Sequence, residues 1–285
     1  MTTPHAFQIE DFIGAPNGEG EQYFASRHFA DMAAIDDHHY WHLHRRTVIL
    51  DTLDDYVRRG ARLVEVGCGV GTVATYLNQH GHRVDYADVH REALAIAAER
   101  ARTRLPAQDE PRRFLRLDVT QHPLPAAYEG ALLLDVLEHL PNDLEVLEAL
   151  TNQLRRQVPG AIVLFTVPAF QFLWSPWDDL NDHRRRYTRS SATELATRAG
   201  LTVLRSTYFF FPLFFAASAV KATRSVAKRI RPGTQASRMS ELVETKSPPL
   251  LNAAMLRVLE LERKWLRQRD LPAGTSLLCV ARVPS

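Results

Sequence analysis

The sequence predicts an α/β fold, built on a mostly parallel sheet of seven strands with helices on both faces. From Arg62 to Tyr208, short apolar segments of strand length alternate with longer segments of helical periodicity. Strands that alternate with helices form a parallel sheet, because each helix returns the chain to the same end of the sheet. About sixty residues of helical pattern then precede a last strand-like segment, and we interpret them as an insertion.

Each predicted element has a local signal. Leu144, Leu147 and Leu150 recur at the spacing of a helix face, and Gly81 and Gly200 stand where helices are expected to end. The predicted strands are 62–66, 83–87, 113–117, 130–134, 161–167, 202–208 and 276–283. The predicted helices are 71–80, 91–104, 143–156, 191–199 and 250–269, with a further helical pattern over 24–58.

The length of 285 residues suits one domain with insertions. Residues 1–22 are polar and acidic, lack the basic start and apolar run of a signal peptide, and are expected to form a flexible tail. We expect a helical cap over 23–60, a core formed by 61–209 and 270–285, and a helical insertion over 210–269.

The amino-acid composition limits the classes of partner that we expect and the cellular compartment. The formal net charge is +2, and this near-neutral balance argues against a nucleic-acid partner. Cys68 and Cys279 lie far apart and do not form a metal-binding cluster. This cysteine usage fits a reducing compartment, so we expect a cytoplasmic protein.

Three glycines follow the first predicted strand. Gly67, Gly69 and Gly71 let the backbone turn sharply and approach a ligand closely, just before a helix N-terminus with free N–H groups. Their G-x-G-x-G spacing differs from the G-x-G-x-x-G fingerprint of dinucleotide sites. Glu65 adds negative charge beside the turn, which disfavours a pyrophosphate and suits a ligand that carries an ammonium group.

Acids also end the next two strands. Asp88 stands where a carboxylate can accept hydrogen bonds from both hydroxyls of a ribose. Asp118 is placed to meet an adenine amine. Asp85 competes with Asp88, but strand alternation puts it near the opposite end of the strand.

The segment from Glu65 to Gly71 resembles the first signature of class I S-adenosylmethionine-dependent methyltransferases. Asp88, Asp118 and the segment from Leu134 to Leu140 match the second, third and fourth signatures in order. The resemblance implies a Rossmann-like seven-stranded sheet with an antiparallel last strand, and S-adenosyl-L-methionine as cofactor. One departure surrounds Asp88, which follows an alanine and precedes a valine where the family usually has glycine or valine before the acid and serine after it.

The cofactor-binding residues follow from this resemblance. It implies Glu65, Gly67, Cys68, Gly69 and Gly71 at the methionine part, Asp88 and Val89 at the ribose, Asp118 and Val119 at the adenine, Asp135 from the fourth signature, and Trp41 and Arg45 from the preceding helix.

A loop from Phe170 to Thr188 is too dense in aromatic and charged residues to be read as a plain connector. It resembles a methyltransferase subgroup with a V-P-A … L-W-S … D … H-x-R-R-Y-T segment, which implies that the loop shapes the acceptor pocket. The implied acceptor-binding residues are Trp174, Trp177, Asp178, Arg186 and Tyr187. The alternatives are that the tryptophans anchor the loop and that the arginines form a solvated run.

A catalytic base is needed only if the acceptor loses a proton. His183 is the first candidate, because the ordinary pKa of an imidazole lies near neutrality, and His139, which follows Glu138 after the fourth strand, is the second. The alternative for His139 is that it orients its loop. His38 and His42 have the i, i+4 spacing of metal ligands, but no acid or cysteine completes the set, and we expect no metal.

An aromatic run from Tyr208 to Phe215 opens the insertion, and Lys221, Arg224, Lys228 and Arg231 follow at helical spacing. Three interpretations stay open: core packing, a lid over an apolar acceptor, and peripheral membrane contact through 208–231. No apolar run is long enough to span a bilayer.

Together these observations predict an S-adenosylmethionine-dependent methyltransferase that acts on a small or lipid-like acceptor. The histidine candidates favour transfer to oxygen over nitrogen or carbon. The alternatives are another enzyme on this fold, such as an aminopropyl transferase or an NAD-dependent dehydrogenase, and a non-catalytic module that binds the cofactor.

Overall fold

The computed structural model of the protein describes residues 8–14, 29, 37–106, 112–230 and 248–285, with side chains up to residue 223 in the helix that ends at 230. The strands are β1 (Ile9–Asp11), β2 (Arg62–Val66), β3 (Arg83–Asp88), β4 (Phe114–Arg116), β5 (Gly130–Leu134), β6 (Ile162–Pro168), β7 (Thr202–Phe209) and β8 (Ser276–Arg282). The helices are α1 (Tyr40–Tyr56), α2 (Thr72–Gln79), α3 (Arg91–Arg104), α4 (Asp143–Gln157), α5 (Pro176–Leu180), α6 (Arg189–Arg198), α7 (Phe211–Ile230) and α8 (Pro249–Leu266). Single turns of 3-10 helix lie at Leu137–His139 and Gln171–Leu173.

The strands form one sheet in the order β1-β4-β3-β2-β5-β6-β8-β7. Neighbours from β1 to β6 pair in parallel, whereas β8 runs antiparallel to both β6 and β7. The predicted mostly parallel sheet with an antiparallel last strand is therefore confirmed, with eight strands in the described residues instead of seven. The strand order reverses beside β2, and ligands of open α/β sheets bind at the carboxyl ends of the strands beside such a reversal.

The additional strand is β1, which lies in the region predicted as a flexible tail. Ile9 pairs with Phe114 at the edge of the sheet, and ion pairs join Glu10 to Arg113 and Asp11 to Arg116. Three residues with one partly buried apolar side chain carry no periodic signal, so the pairing was not predicted. Residues 1–7 and 15–22 lie outside the described residues.

Both faces of the sheet are covered by helices, as predicted. On one face, Leu147, Leu150 and Leu154 of α4 are fully buried against the strands. On the other face, Ile49 and Leu53 of α1 pack with α2 and α3. This alternation buries the strands on both sides, which explains their nearly continuous apolar sequences.

The cap and the insertion are joined to each other. Helix α1 begins at Tyr40, and most of the earlier part of the predicted cap, 23–36, lies outside the described residues. Asn252 of α8 accepts a hydrogen bond from the Tyr40 backbone N–H at 2.7 Å, and Arg263 forms a two-bond ion pair with Asp51. Residues 231–247, which include Arg231, and the side chains of Arg224 and Lys228 lie outside the described part.

The aromatic run divides between core and surface. Tyr208, Phe209 and Phe210 are buried, which agrees with the core interpretation for these three residues. From Phe211 to residue 223 the side chains are partly or fully exposed, and Phe215 is 56% exposed. Any membrane contact through 208–231 must therefore begin after Phe210. Among the described residues, no helix has both the length and the apolar character needed to cross a bilayer.

Glu262 of α8 holds the start of the insertion. Its carboxylate accepts hydrogen bonds from the backbone N–H groups of Phe210 (2.6 Å) and Phe211 (2.5 Å), and it contacts His44 Nε2 of α1 at 2.8 Å. Phe210 has a φ of +62°, a conformation that ordinary residues avoid and that these bonds stabilise.

We expect Glu262→Gln to lower the free energy of unfolding by about 1–3 kcal/mol. The amide keeps one acceptor oxygen, but its NH₂ group cannot accept the second buried backbone N–H. Urea denaturation measures the change, and Glu260→Gln, at an exposed position of the same helix, is the control. Equal stabilities of the two variants would contradict the assignment.

Candidate active site

The predicted cofactor residues meet at the carboxyl ends of β2, β3 and β5. The register pairs Val66 with both Ala87 and Leu133, so the loops that follow the three strands leave the sheet side by side. The backbone N–H groups of Gly67 and Cys68 donate to the Ala87 carbonyl at 2.8 and 3.0 Å. These bonds anchor the glycine turn to the end of β3.

The glycine turn depends on missing side chains. Gly67, Gly69 and Gly71 all have positive φ values, of 73°, 52° and 73°. A Cβ on Gly67 would lie 2.6 Å from a methyl of Val136, and one on Gly71 would lie 2.7 Å from the Cβ of Ala97. A Cβ on Gly69 would meet no atom within 4 Å, so this glycine borders open space that a ligand can fill.

Glu65 lies next to this turn, and one oxygen of its carboxyl group is unsatisfied. It is 3% exposed, and its Oε2 atom has no hydrogen-bond partner in the described structure. Burial raises the pKa of Glu65 to about 8, although the positive charge of Arg45 opposes the rise. A buried acceptor without a donor fits an ammonium group of a ligand.

Asp88 is the last residue of β3, whereas Asp85 lies three residues earlier, in the middle of the strand opposite Val64 of β2 and not at its far end as predicted. Asp88 accepts bonds from the backbone N–H groups of Gly69 (2.8 Å) and His90 (2.9 Å), one on each oxygen, and burial raises its pKa. Each oxygen keeps a lone pair for a ligand hydroxyl. Asp85 instead bonds Arg62 and the hydroxyl of Tyr128, away from the turn.

The remaining predicted cofactor residues surround the same edge. Asp118 Oδ1 accepts bonds from the backbone N–H and the hydroxyl of Thr120 at 2.8 and 2.7 Å. The other oxygen of Asp118 takes no part in these bonds. Val119 is buried beside it. The Val89 carbonyl accepts a bond from Arg116 Nε, which holds the segment after β3 against β4.

Helix α1 contributes two of the predicted residues. Arg45 Nη2 lies 2.7 Å from an oxygen of Asp135, and its guanidinium carbon lies 5.3 Å from the centre of the Trp41 ring. Trp41 in turn stacks on Phe210 at 5.5 Å. The structure thus brings Trp41 and Arg45 to Asp135 after β5, and their contact with the cofactor stays a prediction.

The loop after β6 is organised around Asp178. This fully buried carboxylate accepts two bonds from Arg186 (2.7 and 2.8 Å), one from the Ser175 backbone N–H and one from His183 Nδ1 (2.9 Å). Burial acts to raise its pKa, but the bonds from His183 and Arg186 outweigh burial and lower it. Asp178 therefore stays ionised and fixes the ring of His183.

Other residues predicted to bind the acceptor also make contacts within the protein. Tyr187 is buried and its hydroxyl donates to Asp143 at 2.7 Å, while Trp174 Nε1 donates to Asp179 at 2.9 Å. Trp177 is half-buried. Asp178, Arg186 and Tyr187 thus stabilise the loop, and their contact with an acceptor remains a prediction.

Two loops bring His139 and His183 together. The backbone N–H of Arg184 donates to the Glu138 carbonyl and Arg184 Nε donates to the His139 carbonyl, so the loop after β6 is bonded to the turn after β5. The two imidazole rings lie 4.8 Å apart at 79°. Burial and the neighbouring His183 lower the pKa of His139 to about 4, so its ring is neutral near pH 7.

Glu138 is the site residue to which the sequence assigned no role. Its carboxyl is fully buried beside the two histidines, and neither oxygen has a hydrogen-bond partner among the described residues. Burial and the negative charge of Asp135 raise its pKa well above the ordinary value. The pattern showed an acid after a strand, but its burial depends on the loop from the far side of β6.

This geometry agrees with the comparisons with known proteins. A family described as methyltransferase domain matches residues 40–206, more than half of the chain. The chain belongs to this methyltransferase family. The match contains the glycine turn, the acids at the ends of β3 and β4, and both candidate histidines.

Two curated relatives share parts of the chain. A ubiquinone biosynthesis O-methyltransferase of Aeromonas salmonicida is 22% identical over 50% of this chain and 64% of its own length. An S-adenosyl-L-methionine-dependent Diels-Alderase of Talaromyces variabilis is 38% identical over 28% of each chain. The chain therefore spans less than two thirds of each relative.

The fold itself is shared more widely. A chain from a Haloferax volcanii complex that contains the Trm112 methyltransferase activator aligns with 93% of this chain and 97% of its own length. The TM-score is 0.58 at 14% sequence identity, so the likeness extends to the fold alone.

Proposed function

We propose that this protein transfers the methyl group of S-adenosylmethionine to a hydroxyl of a small, apolar acceptor. The observation that carries the proposal is the buried carboxyl of Glu65, whose Oε2 atom lacks a donor beside the open glycine turn. An amino-acid ammonium supplies that donor, and placing a cation there lowers the pKa of Glu65 so that it ionises. The name of the Aeromonas relative supports an oxygen acceptor.

The residues of one sheet edge would hold the cofactor. Glu65 and the backbone at Gly69 are suited to the methionine part, Asp88 to the ribose, and Asp118 with Val119 to the adenine. When bound, S-adenosylmethionine supplies a methyl group activated by a sulfonium, so the protein needs to position the acceptor and exclude water.

His183 is suited to take the proton of an acceptor hydroxyl. Asp178 holds its Nδ1, which leaves Nε2 as the nitrogen that can accept a proton. His139, beside it, is neutral and shields this position from the side of β5. A positioned base of this kind contributes about 10²–10⁴-fold to a proton-transfer step.

Aromatic side chains next to the loop support an apolar acceptor under a lid. Phe170 stacks on Tyr208 at 4.8 Å, and Phe214 of α7 packs on Phe170 at 5.3 Å. Lys221 of α7 donates to the Trp174 carbonyl at 2.5 Å. Helix α7 thus covers the loop, and Phe172, 52% exposed, extends the apolar wall to the surface. These contacts favour the lid interpretation and a lipid-like acceptor.

Equilibrium titration with S-adenosylhomocysteine and with NAD tests the donor, and transfer of a labelled methyl group to extract components tests turnover. We expect binding of S-adenosylhomocysteine and transfer of the label. Tight binding of NAD alone would support the dehydrogenase alternative. Binding without transfer would support a cofactor-binding module, or chemistry of the kind named for the Talaromyces relative.

We expect His183→Gln to lower the rate of methyl transfer about 100-fold or more, because the acceptor then loses its base. Binding of S-adenosylhomocysteine should stay within about twofold, since His183 lies on the acceptor side. His80→Gln, at an exposed position of the turn after α2, is the control. Unchanged transfer by His183→Gln would remove this residue from the reaction.

Membrane contact is tested separately by sedimentation with anionic liposomes at low salt. If the exposed side of α7 binds the bilayer, Phe215→Ser should lower the bound fraction several-fold, because a buried aromatic side chain contributes about 2–3 kcal/mol. Phe12→Ser is the control, since Phe12 follows β1 at the opposite edge of the sheet. Absence of the wild-type protein from the pellet would exclude membrane contact and leave core packing and the lid.

A further inference from the structure

Glu138 is a buried carboxyl that the proposed methyl transfer does not use. Its side chain is fully buried, and neither Oε1 nor Oε2 has a hydrogen-bond partner within the described structure. Buried polar groups in proteins are nearly always hydrogen-bonded, and a buried carboxyl without a hydrogen bond is strongly unfavourable. A carboxyl that is buried without a hydrogen bond, despite the cost of its desolvation, indicates a ligand that bonds to it.

Two imidazoles lie next to this carboxyl. One ligand atom from each of Glu138, His139 and His183 can be chosen so that all three lie within 4.8 Å of one another. Tetrahedral coordination of a zinc ion places neighbouring ligand atoms about 3.3 Å apart. Side-chain rotations that move these atoms by about 1–1.5 Å would therefore bring all three groups into coordination. The three residues come from two loops that are bonded to each other through Arg184.

The surroundings of the histidines match those of metal ligands. His183 is held through Nδ1 by Asp178 at 2.9 Å, and His139 is hydrogen-bonded to the backbone of Asn181. In metalloproteins one ring nitrogen is held by a carboxylate or a carbonyl while the other binds the metal. Asp178 is itself fixed by Arg186, so its orientation does not depend on the metal.

The charges nearby leave Glu138 without a counterion. Asp135 is paired with Arg45, and Asp178 with Arg186. Glu138 has no such partner among the described residues, and a divalent cation would compensate its charge. Two nitrogens and one oxygen are a ligand set that zinc and neighbouring transition metals accept, whereas magnesium and calcium prefer oxygen alone.

We propose that Glu138, His139 and His183 form a binding site for a divalent transition-metal cation of the zinc type, at the acceptor side of the active site. Three protein ligands leave a coordination position open, which is the arrangement of catalytic sites. If the proposed function holds, the open position would take the acceptor oxygen. The cation would then lower the pKa of the hydroxyl, and His183 would be its ligand instead of the base.

Titration of the chelator-treated full chain with Co²⁺ tests the site, because bound Co²⁺ absorbs in the visible in a geometry-dependent way. We expect one equivalent of Co²⁺ to bind and Zn²⁺ to displace it. Glu138→Gln and His183→Gln should weaken Co²⁺ binding at least tenfold, since each removes one of three ligands. Asp178→Asn should weaken it about 10–100-fold through the orientation of His183.

His42→Gln, in the separate histidine cluster of α1, should leave the Co²⁺ titration unchanged. Binding of S-adenosylhomocysteine shows that each variant is folded, and failure of the wild type to bind it would remove the proposed function without affecting the metal titration. The proposal is overturned if no absorbance saturates at one equivalent, or if Glu138→Gln and His183→Gln titrate like the wild type. It is also overturned if His42→Gln abolishes binding.

Discussion

Gly71→Ala should lower the free energy of unfolding by about 2–5 kcal/mol, the sum of an overpacked core and a strained backbone. The new Cβ would lie 2.7 Å from the Cβ and 3.2 Å from the Cα of Ala97, and 3.0 Å from the ring of Tyr86. Ala97 has no rotamer that moves it aside, and both neighbours are fully buried. Helix α3 must therefore shift, or the glycine turn must open.

Gly60→Ala separates the two contributions. Gly60 has a φ of +78°, close to that of Gly71, but a Cβ there would meet nothing within 4 Å. We expect a loss of about 1–2 kcal/mol from the backbone alone. Urea denaturation measures both variants, and titration with S-adenosylhomocysteine shows whether the turn still binds. Equal losses for the two variants would mean that contact with Ala97 is not limiting.

Replacing Glu65 with glutamine should change how stability depends on pH. Burial raises the pKa of Glu65 to about 8 in the folded protein, above its ordinary value near 4.5. Between these values the folded state keeps a proton that the unfolded state releases, so the wild type loses stability as pH rises. The loss is about 1.4 kcal/mol per pH unit and ends once pH exceeds the folded pKa.

The glutamine variant lacks this titration, so its stability should fall less steeply. Between pH 5.5 and 7.5 the wild type should lose about 2–3 kcal/mol more than Glu65→Gln. Urea denaturation at the two pH values measures the difference without a ligand. Glu194→Gln, at an exposed position of α6, controls for the loss of one carboxyl. Parallel pH profiles for the wild type and Glu65→Gln would show that Glu65 is not buried as a neutral acid.

Much of the fold was predicted from local patterns. The predicted strand 62–66 is β2 and the predicted helix 91–104 is α3, with the same bounds. Helical and strand periodicities are carried by neighbours along the chain, so they are readable without the tertiary structure. The short strand β1 was missed because its pairing depends on the free edge of β4 and on Arg113 and Arg116, about a hundred residues away.

The types of residue in the candidate site were predicted from the sequence, whereas the contacts between them were predicted less well. The glycine turn and Asp88 meet at one sheet edge as strand order requires, but the sequence did not show that Asp178 and Arg186 bond each other. Nor did it show the burial of Glu138. The bonds from Arg184 to the turn at Leu137–His139 place this acid beside His183, 45 residues away.

The sequence by itself determined the alternating elements, the glycine turn and the acids that follow the strands, because each depends on residues close along the chain. Only the tertiary structure decided which polar side chains are satisfied within the protein and which are not. Asp178 has its partners in its own loop, whereas Glu65 and Glu138 are buried by segments distant in sequence and retain oxygens without donors. Burial is a property of the whole packing, and these two carboxyls mark the proposed cofactor and metal sites.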